Sequence, residues 1–174
     1  MNITVHSQKG NVKMDNSLPD CFKAYDIRGK VPSQLNPDLV YDIGRAFSNV
    51  TGVKKVVVGH DMRLSGPALL ESLCRGLTDM GTDVLHLGLC GTEEIYYASF
   101  SLEEEGVDGG IVITASHNPA DYNGLKFVLK GALPLTGAGG LHEMGKRIMD
   151  GDLSDPVEKR GAQYQVNTTG DYID

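Results

Sequence analysis

Val107-Asp108-Gly109-Gly110-Ile111-Val112-Ile113-Thr114-Ala115-Ser116-His117-Asn118-Pro119 runs from an apolar, β-branched segment into a polar loop. Ala120-Asp121-Tyr122-Asn123-Gly124-Leu125-Lys126-Phe127-Val128 leads out of it. Val and Ile favour the pleated, buried geometry of a strand, whereas Asn-Pro and Asn-Gly favour turns. The order is therefore strand, polar loop, strand. A buried strand that stops at Ser116-His117 delivers a hydroxyl to the rim of a sheet, and crevices at the carboxyl ends of such strands are where α/β proteins bind ligands. A serine hydroxyl is a poor nucleophile until a neighbour takes its proton or stabilises its adduct. His117 is adjacent, and Lys126 lies ten residues on, across the turn. A lysine is a point charge suited to a phosphoryl group, or to proton transfer if its pKa is lowered. The same dipeptide is also compatible with a solvated turn in which His117 is structural.

Upstream, strand and helix signals alternate. Residues 22–27 alternate loosely and read as a short strand ending at Arg28-Gly29. Arg28 can fork onto a phosphate or form a surface salt bridge, and Tyr25 can line a pocket or sit half-buried on the strand. Asn36-Pro37-Asp38 predicts a helix start, with Leu39, Val40, Ile43, Phe47 and Val50 on one face and Gly52 as its end. Val56-Val57-Val58 is the wholly apolar run of a central parallel strand. His60-Asp61-Met62-Arg63 follows at its carboxyl end, where Asp61 and Arg63 can pair and pin the turn. Ser65 is the expected cap of the next helix, with Leu69, Leu70, Leu73, Leu77 and Met80 inward and Gly81 as the stop. Residues 82–88 form the next strand. Thr92-Glu93-Glu94 begins a short helix carrying Ile95, Ala98 and Phe100, with acids at its positive end, and Glu103-Glu104-Glu105 reads as a solvated helix end. This alternation predicts a three-layer α/β/α sandwich with right-handed crossovers and a mostly parallel sheet. A hairpin-like return at 125–129 makes that sheet mixed.

Composition narrows the function. The chain has 174 residues and a net charge of −7, enough length for one core and the wrong charge for a general nucleic-acid binder. Positive charge must then be concentrated locally, with Arg28, Arg63 and Lys126 as candidates. Cys21, Cys74 and Cys90 lack metal-ligand spacing and read as reduced thiols of a cytoplasmic protein. Residues 1–20 are polar, with no signal peptide or membrane span, and are expected to be a flexible extension. Residues 21–150 carry the domain. Within them 131–140 reads as a Gly-rich loop and 141–149 as a last helix, and 151–174 reads as a linker toward a second domain.

Thr114-Ala115-Ser116-His117-Asn118-Pro119 closely resembles the phosphoserine loop of the α-D-phosphohexomutases. Phe22-Lys23-Ala24-Tyr25-Asp26-Ile27-Arg28-Gly29 resembles the opening motif of their phosphomannomutase/phosphoglucomutase branch, and Gly59-His60-Asp61-Met62-Arg63-Leu64-Ser65 is similar to the family's Gly-x-Asp-x-Arg-x-Ser/Thr segment. Asp121-Tyr122-Asn123-Gly124-Leu125-Lys126 resembles the family's segment immediately downstream of the phosphoserine loop. The motifs occur in the family's order.

The resemblance implies a phosphoryl group carried on Ser116 and passed to a hexose monophosphate. A hexose 1,6-bisphosphate is the intermediate, and the net result interconverts hexose 6- and 1-phosphates of mannose or glucose. It implies Mg²⁺ on the phosphoserine oxygens, Lys126 and Arg28 as charge stabilisers, and Lys126 or His117 as the proton carrier. Tyr25, Asn118 and Asn123 are the implied substrate-binding residues; turn formation is the competing role for both asparagines. The family's Asp-Gly-Asp-x-Asp-Arg metal loop, sugar-specificity loop and terminal phosphate-binding loop are absent from this sequence. The expectation is a first domain only, with partner domains 2–4 missing and no full turnover alone. A non-catalytic phosphosugar- or anion-binding module remains the alternative. A serine hydrolase is disfavoured because the flanks lack Gly-x-Ser-x-Gly.

Overall fold

The computed structural model describes residues 18–166, 168 and 172. Most of the expected N-terminal extension, 1–17, lies outside the described residues, while Leu18 packs on the core. The described chain forms seven strands: β1 (Ile27–Lys30), β2 (Lys55–His60), β3 (Asp83–Leu89), β4 (Gly109–Ile113), β5 (Tyr122–Leu129), β6 (Leu133–Pro134) and β7 (Gln163–Gln165). Four α-helices accompany them: α1 (Pro37–Thr51), α2 (Gly66–Asp79), α3 (Thr92–Ser101) and α4 (His142–Asp150). The sheet order is β1-β5-β4-β2-β3-β7, with β6 paired to β5. β4-β2-β3-β7 is parallel, while β5 runs antiparallel to β4, β1 and β6. The α/β/α sandwich and its mixed sheet are therefore present, with the parallel half confined to one side of β5.

Strand periodicity divides the core into two layers. Val56, Val58, Ile111, Ile113, Leu125 and Phe127 face α1, α2 and α4, whose Val40, Ile43, Phe47, Leu69, Leu73, Leu77 and Met144 complete one buried cluster. Val57, Val112 and Val128 point the other way, onto Ile95 and Ala98 of α3. The chain leaves β2 for β3 through α2 and returns past β2 to β4 through α3. Opposite directions of travel place the two helices on opposite faces when crossover handedness is constant. The reversal puts a topological switch point at the carboxyl end of β2, where such folds open a crevice.

Local chemistry explains the helix ends. Asn36 Oδ1 accepts from the Leu39 amide at 2.9 Å, Pro37 opens α1, and Gly52 closes it at φ 72°. Ser65 sits at the N-cap position of α2 without bonding its amides; its hydroxyl instead accepts from Asn123 Nδ2 at 2.9 Å. Gly91 is the cap residue of α3, and its amide donates to Glu94 Oε2 at 2.7 Å.

Several expectations need correction. The strand expected at 22–27 begins only at Ile27; residues 22–26 fold as a turn closed by a single Phe22–Ile27 bridge. Tyr25 is on that turn and 76% exposed, not half-buried on a strand. Phe100 is also exposed, leaving Ile95 and Ala98 to anchor α3. Part of the expected linker 151–174 is integrated into the domain. The Val157 and Gly161 amides donate to Asp79 O and Thr78 O, and the Val84 amide donates to Ala162 O. Gln163–Gln165 then adds as a parallel edge strand to β3. Backbone pairing supplies what this polar stretch lacks in apolar side chains.

Candidate active site

Three loops meet at the carboxyl ends of the parallel strands: 61–64 after β2, 90–93 after β3 and 114–118 after β4. Together they line an open cleft of about 740 Å³. β4 is wholly buried up to Ile113 and Ala115, and the chain emerges at Ser116 and His117, both exposed. Ser116 has φ 55°, a left-handed conformation that L residues other than glycine seldom adopt. Its Oγ lies 3.4 Å from His117 Nδ1.

The loop is held from the neighbouring β2–α2 turn. Arg63 NH1 donates to Pro119 O at 2.7 Å and Tyr122 O at 2.8 Å; NH2 donates to Ser116 O at 3.0 Å and Asn118 O at 2.7 Å. Asp61 Oδ1 accepts from the Arg63 amide at 3.0 Å and Oδ2 from Thr114 Oγ1 at 2.7 Å. Thr114 Oγ1 in turn accepts from the Ser116 amide at 2.9 Å. The sequence pointed to an Asp61–Arg63 pair within one turn; the structure extends that pair across the sheet edge to the Ser116 loop.

A second polar group flanks the loop on the β1–β5 side. Ile27 pairs with Leu125 and Arg28 with Gly124, so Arg28 and Lys126 are diagonal neighbours on one face. Arg28 NH1 donates to Asn118 Oδ1 at 2.6 Å and NH2 to Asp26 Oδ2 at 2.5 Å. Lys126 Nζ lies 3.5 Å from the same Asp26 oxygen. One carboxylate thus holds two cations together and leaves the pair with net positive charge. Gly124 permits this junction, because a Cβ there would fall 2.3 Å from Ile27 O and 2.8 Å from Thr114 O.

The expected site residues therefore divide. Ser116, His117 and Asn118 line the cleft, and Arg28 is tied to it through Asn118, with Lys126 alongside. Asn118 orients Arg28 through a side-chain bond as well as lying in the turn. Asn123 does not reach the rim: it is 0% exposed, donating to Ser65 Oγ and accepting from the Gly124 amide. The structure gives it a role in joining β5 to α2 in place of the expected substrate contact. Tyr25 is outside the cleft lining. Sequence reasoning passed over Asp26 and Thr114. Asp26 stands inside the opening motif two residues before Arg28, at the end of the turn that leads into β1, and an acid so near an arginine is a candidate ion-pair partner.

Cys90 also lines the cleft. Burial first, then the charge of Glu94, pushes its thiol up to about 11, so it is not a nucleophile near neutral pH. Among the described residues no three His, Cys, Asp or Glu side chains converge as metal ligands. A phosphate on Ser116 would offer Mg²⁺ the hard oxygen it favours, but an octahedral site needs more. The described residues thus do not complete a Mg²⁺ site. Among the described residues no helix is long and apolar enough to cross a membrane.

Known proteins resemble this chain in sequence and fold. Residues 19–140 match the family described as phosphoglucomutase/phosphomannomutase, alpha/beta/alpha domain I. A phosphomannomutase of Escherichia coli is 49% identical over 156 residues, which cover 88% of this chain and 34% of that protein. A Klebsiella pneumoniae phosphomannomutase sequence is also 49% identical, over 88% of this chain and 97% of its own length. The crystal structure of a phosphoglucomutase/phosphomannomutase family protein from Burkholderia thailandensis superposes with a TM-score of 0.76 at 40% identity, covering 88% of this chain and 34% of that one. The chain thus spans about a third of the length of the E. coli relative and of the Burkholderia structure. From its buried strand, its exposed serine loop and these likenesses together, the chain belongs to the phosphoglucomutase/phosphomannomutase family, as its α/β/α domain I.

Proposed function

We infer that this domain carries the phosphoryl group in a phosphomannomutase reaction, interconverting hexose 6- and 1-phosphates through phosphorylated Ser116 and a hexose 1,6-bisphosphate. The observation that carries this reading is the exposed Ser116 at the mouth of a switch-point cleft, on a loop whose Asn118 Oδ1 accepts from Arg28. In the transfer, the Oγ–P bond of phosphorylated Ser116 breaks as a sugar hydroxyl oxygen bonds to phosphorus. The sugar hydroxyl loses its proton and Ser116 Oγ gains one. His117 or Lys126 carries that proton, and the 3.4 Å between His117 Nδ1 and Oγ supports the histidine. Arg28 and Lys126 offset the charge on the phosphoryl oxygens, since catalysis of this kind is mostly positioning and charge stabilisation. Mg²⁺ would withdraw charge from the transferring group, with one ligand from the phosphate on Ser116 and the others from outside this chain. The substrates are phosphates of mannose or glucose, and the remaining contacts belong to domains 2–4 of the longer relatives. Three buried, unpaired thiols favour a reducing cytoplasmic setting.

The test is phosphate uptake. Incubation with glucose 1,6-bisphosphate and Mg²⁺ is expected to add one phosphate to the chain by intact mass, and Ser116→Ala to abolish it. A coupled assay on mannose 6-phosphate is expected to detect no sustained turnover by the chain alone. Phosphate found on another residue, or none on a folded chain that still binds the bisphosphate, would favour a non-catalytic binding module.

A further inference from the structure

We propose that Arg63, with Asp61 and Thr114, is the positioning residue that holds Ser116 in its left-handed conformation and so aims its hydroxyl into the cleft. This rests on the assignment of Ser116 as the phosphoryl carrier. A backbone conformation is set by the two peptide planes that flank the Cα. At Ser116 both planes are tied. The amide of the preceding peptide donates to Thr114 Oγ1 at 2.9 Å, and the carbonyl of the following peptide accepts from Arg63 NH2 at 3.0 Å. The two ties converge on Asp61, whose Oδ2 accepts from Thr114 Oγ1 at 2.7 Å and lies 3.3 Å from Arg63 Nε. A glycine would take φ 55° freely, but it would have no hydroxyl. A serine there is strained, and such strain persists only where the surroundings over-determine it.

The guanidinium suits this task and no other in the cleft. Its four terminal N–H groups are all engaged, by Pro119 O, Tyr122 O, Ser116 O and Asn118 O. No terminal N–H remains for a substrate phosphate, although Arg63 lines the cleft, and the Nε–H is buried, facing Asp61 Oδ2 at 3.3 Å without a hydrogen bond. Four carbonyl oxygens, three from the loop after β4 and one from the first residue of β5, form an acceptor surface that a planar fork can fill. A lysine, with three donors on a single atom, cannot reproduce that geometry. Arg63 thus acts through Ser116, and differs from Arg28 and Lys126, the cations assigned above to the charge of the phosphoryl oxygens.

Two readouts test this separately. The first needs no activity. With Ser116 held left-handed, Ser116→Gly raises the urea midpoint above that of Ser116→Ala, because glycine pays no steric penalty there. That gap is expected to collapse in an Arg63→Lys background and in a Thr114→Val background, the latter serving if Arg63→Lys does not fold. A gap unchanged in both overturns the proposal. The second is kinetic. Arg63→Lys is expected to slow phosphate uptake by Ser116 from glucose 1,6-bisphosphate at least tenfold, while the Kd for the bisphosphate shifts less than twofold. A weakened Kd with an unchanged uptake rate would make Arg63 a ligand-binding residue and sink the idea. If the wild-type chain takes up no phosphate, the carrier assignment falls, and the glycine–alanine gap still decides Arg63.

Discussion

Ser116 and the Arg28–Lys126 pair come from different parts of the sheet. The hydroxyl stands on a loop that leaves the fully buried β4, while Arg28 and Lys126 rise from β1 and β5 with Asp26 between them. Asp26 is 9% exposed, so its carboxylate is screened little by water and keeps the two cations from repelling each other apart. Lys126→Met and Arg28→Met are each expected to slow phosphate uptake by Ser116 about 10²-fold, the usual effect of deleting one preorganised charge stabiliser. Rapid-quench intact-mass measurement checks this. Equal rates for wild type and both variants would remove these cations from the transfer. The likeness to the family motif singled out Arg28 and Lys126 in the sequence, and their action on the phosphoryl group is what these substitutions test. Asn123 is misleading there because an Asn-Gly pair signals a turn, whereas here the asparagine continues a strand and is buried against Ser65. Only a folded β5 packed on α2 reveals that.

At the scale of elements, helix ends and strand order were written locally. The α1 cap at Asn36-Pro37 and its stop at Gly52 appear where propensity puts them, as does the antiparallel return of β5 that mixes the sheet. Segment 152–166 was not legible, because its attachment comes from backbone pairing and close approach. Gly161 illustrates this: a Cβ there would lie 2.0 Å from Thr82 O. Ala162 and Ser154 add bonds to Asp83 and Asn49, and Arg160 lies 3.2 Å from Asp79 Oδ1. Gly161→Ala is expected to detach this strap at a cost of about 2–3 kcal/mol, as overpacking against a backbone atom does. Amide exchange should then rise at least tenfold at Val84 and Val166, whose amides bond Ala162 O and His86 O, while the amides of β2 stay protected. Unchanged exchange at both would show that the strap is not seated as described.

Over the whole molecule, burial of three thiols couples stability to alkaline pH. Burial pushes Cys74 up to about 12 and, with the charge of Glu94, Cys90 up to about 11, against an ordinary value of 9.0. The unfolded chain releases these protons first. Stability from this source is therefore fully present below about pH 9 and falls as pH rises toward 11 and 12, by roughly 1.4 kcal/mol per pH unit for each fully buried thiol. Urea midpoints on either side of pH 9 measure the slope, and Cys74→Ala is expected to flatten it. A slope that the substitution leaves unaltered would assign the loss to other groups.

The sequence by itself determined the alternation of strands and helices, the apolar run that buries β4, and the serine at the point where that run ends. Those features depend on neighbours a few residues apart, where propensity and periodicity act. Only the tertiary structure decided that Arg63 reaches Ser116, that Asp26 joins Arg28 to Lys126, and that the polar tail returns to the sheet. Those contacts join residues as many as 105 positions apart, and a contact of that span exists only after the chain has closed the loop between its partners.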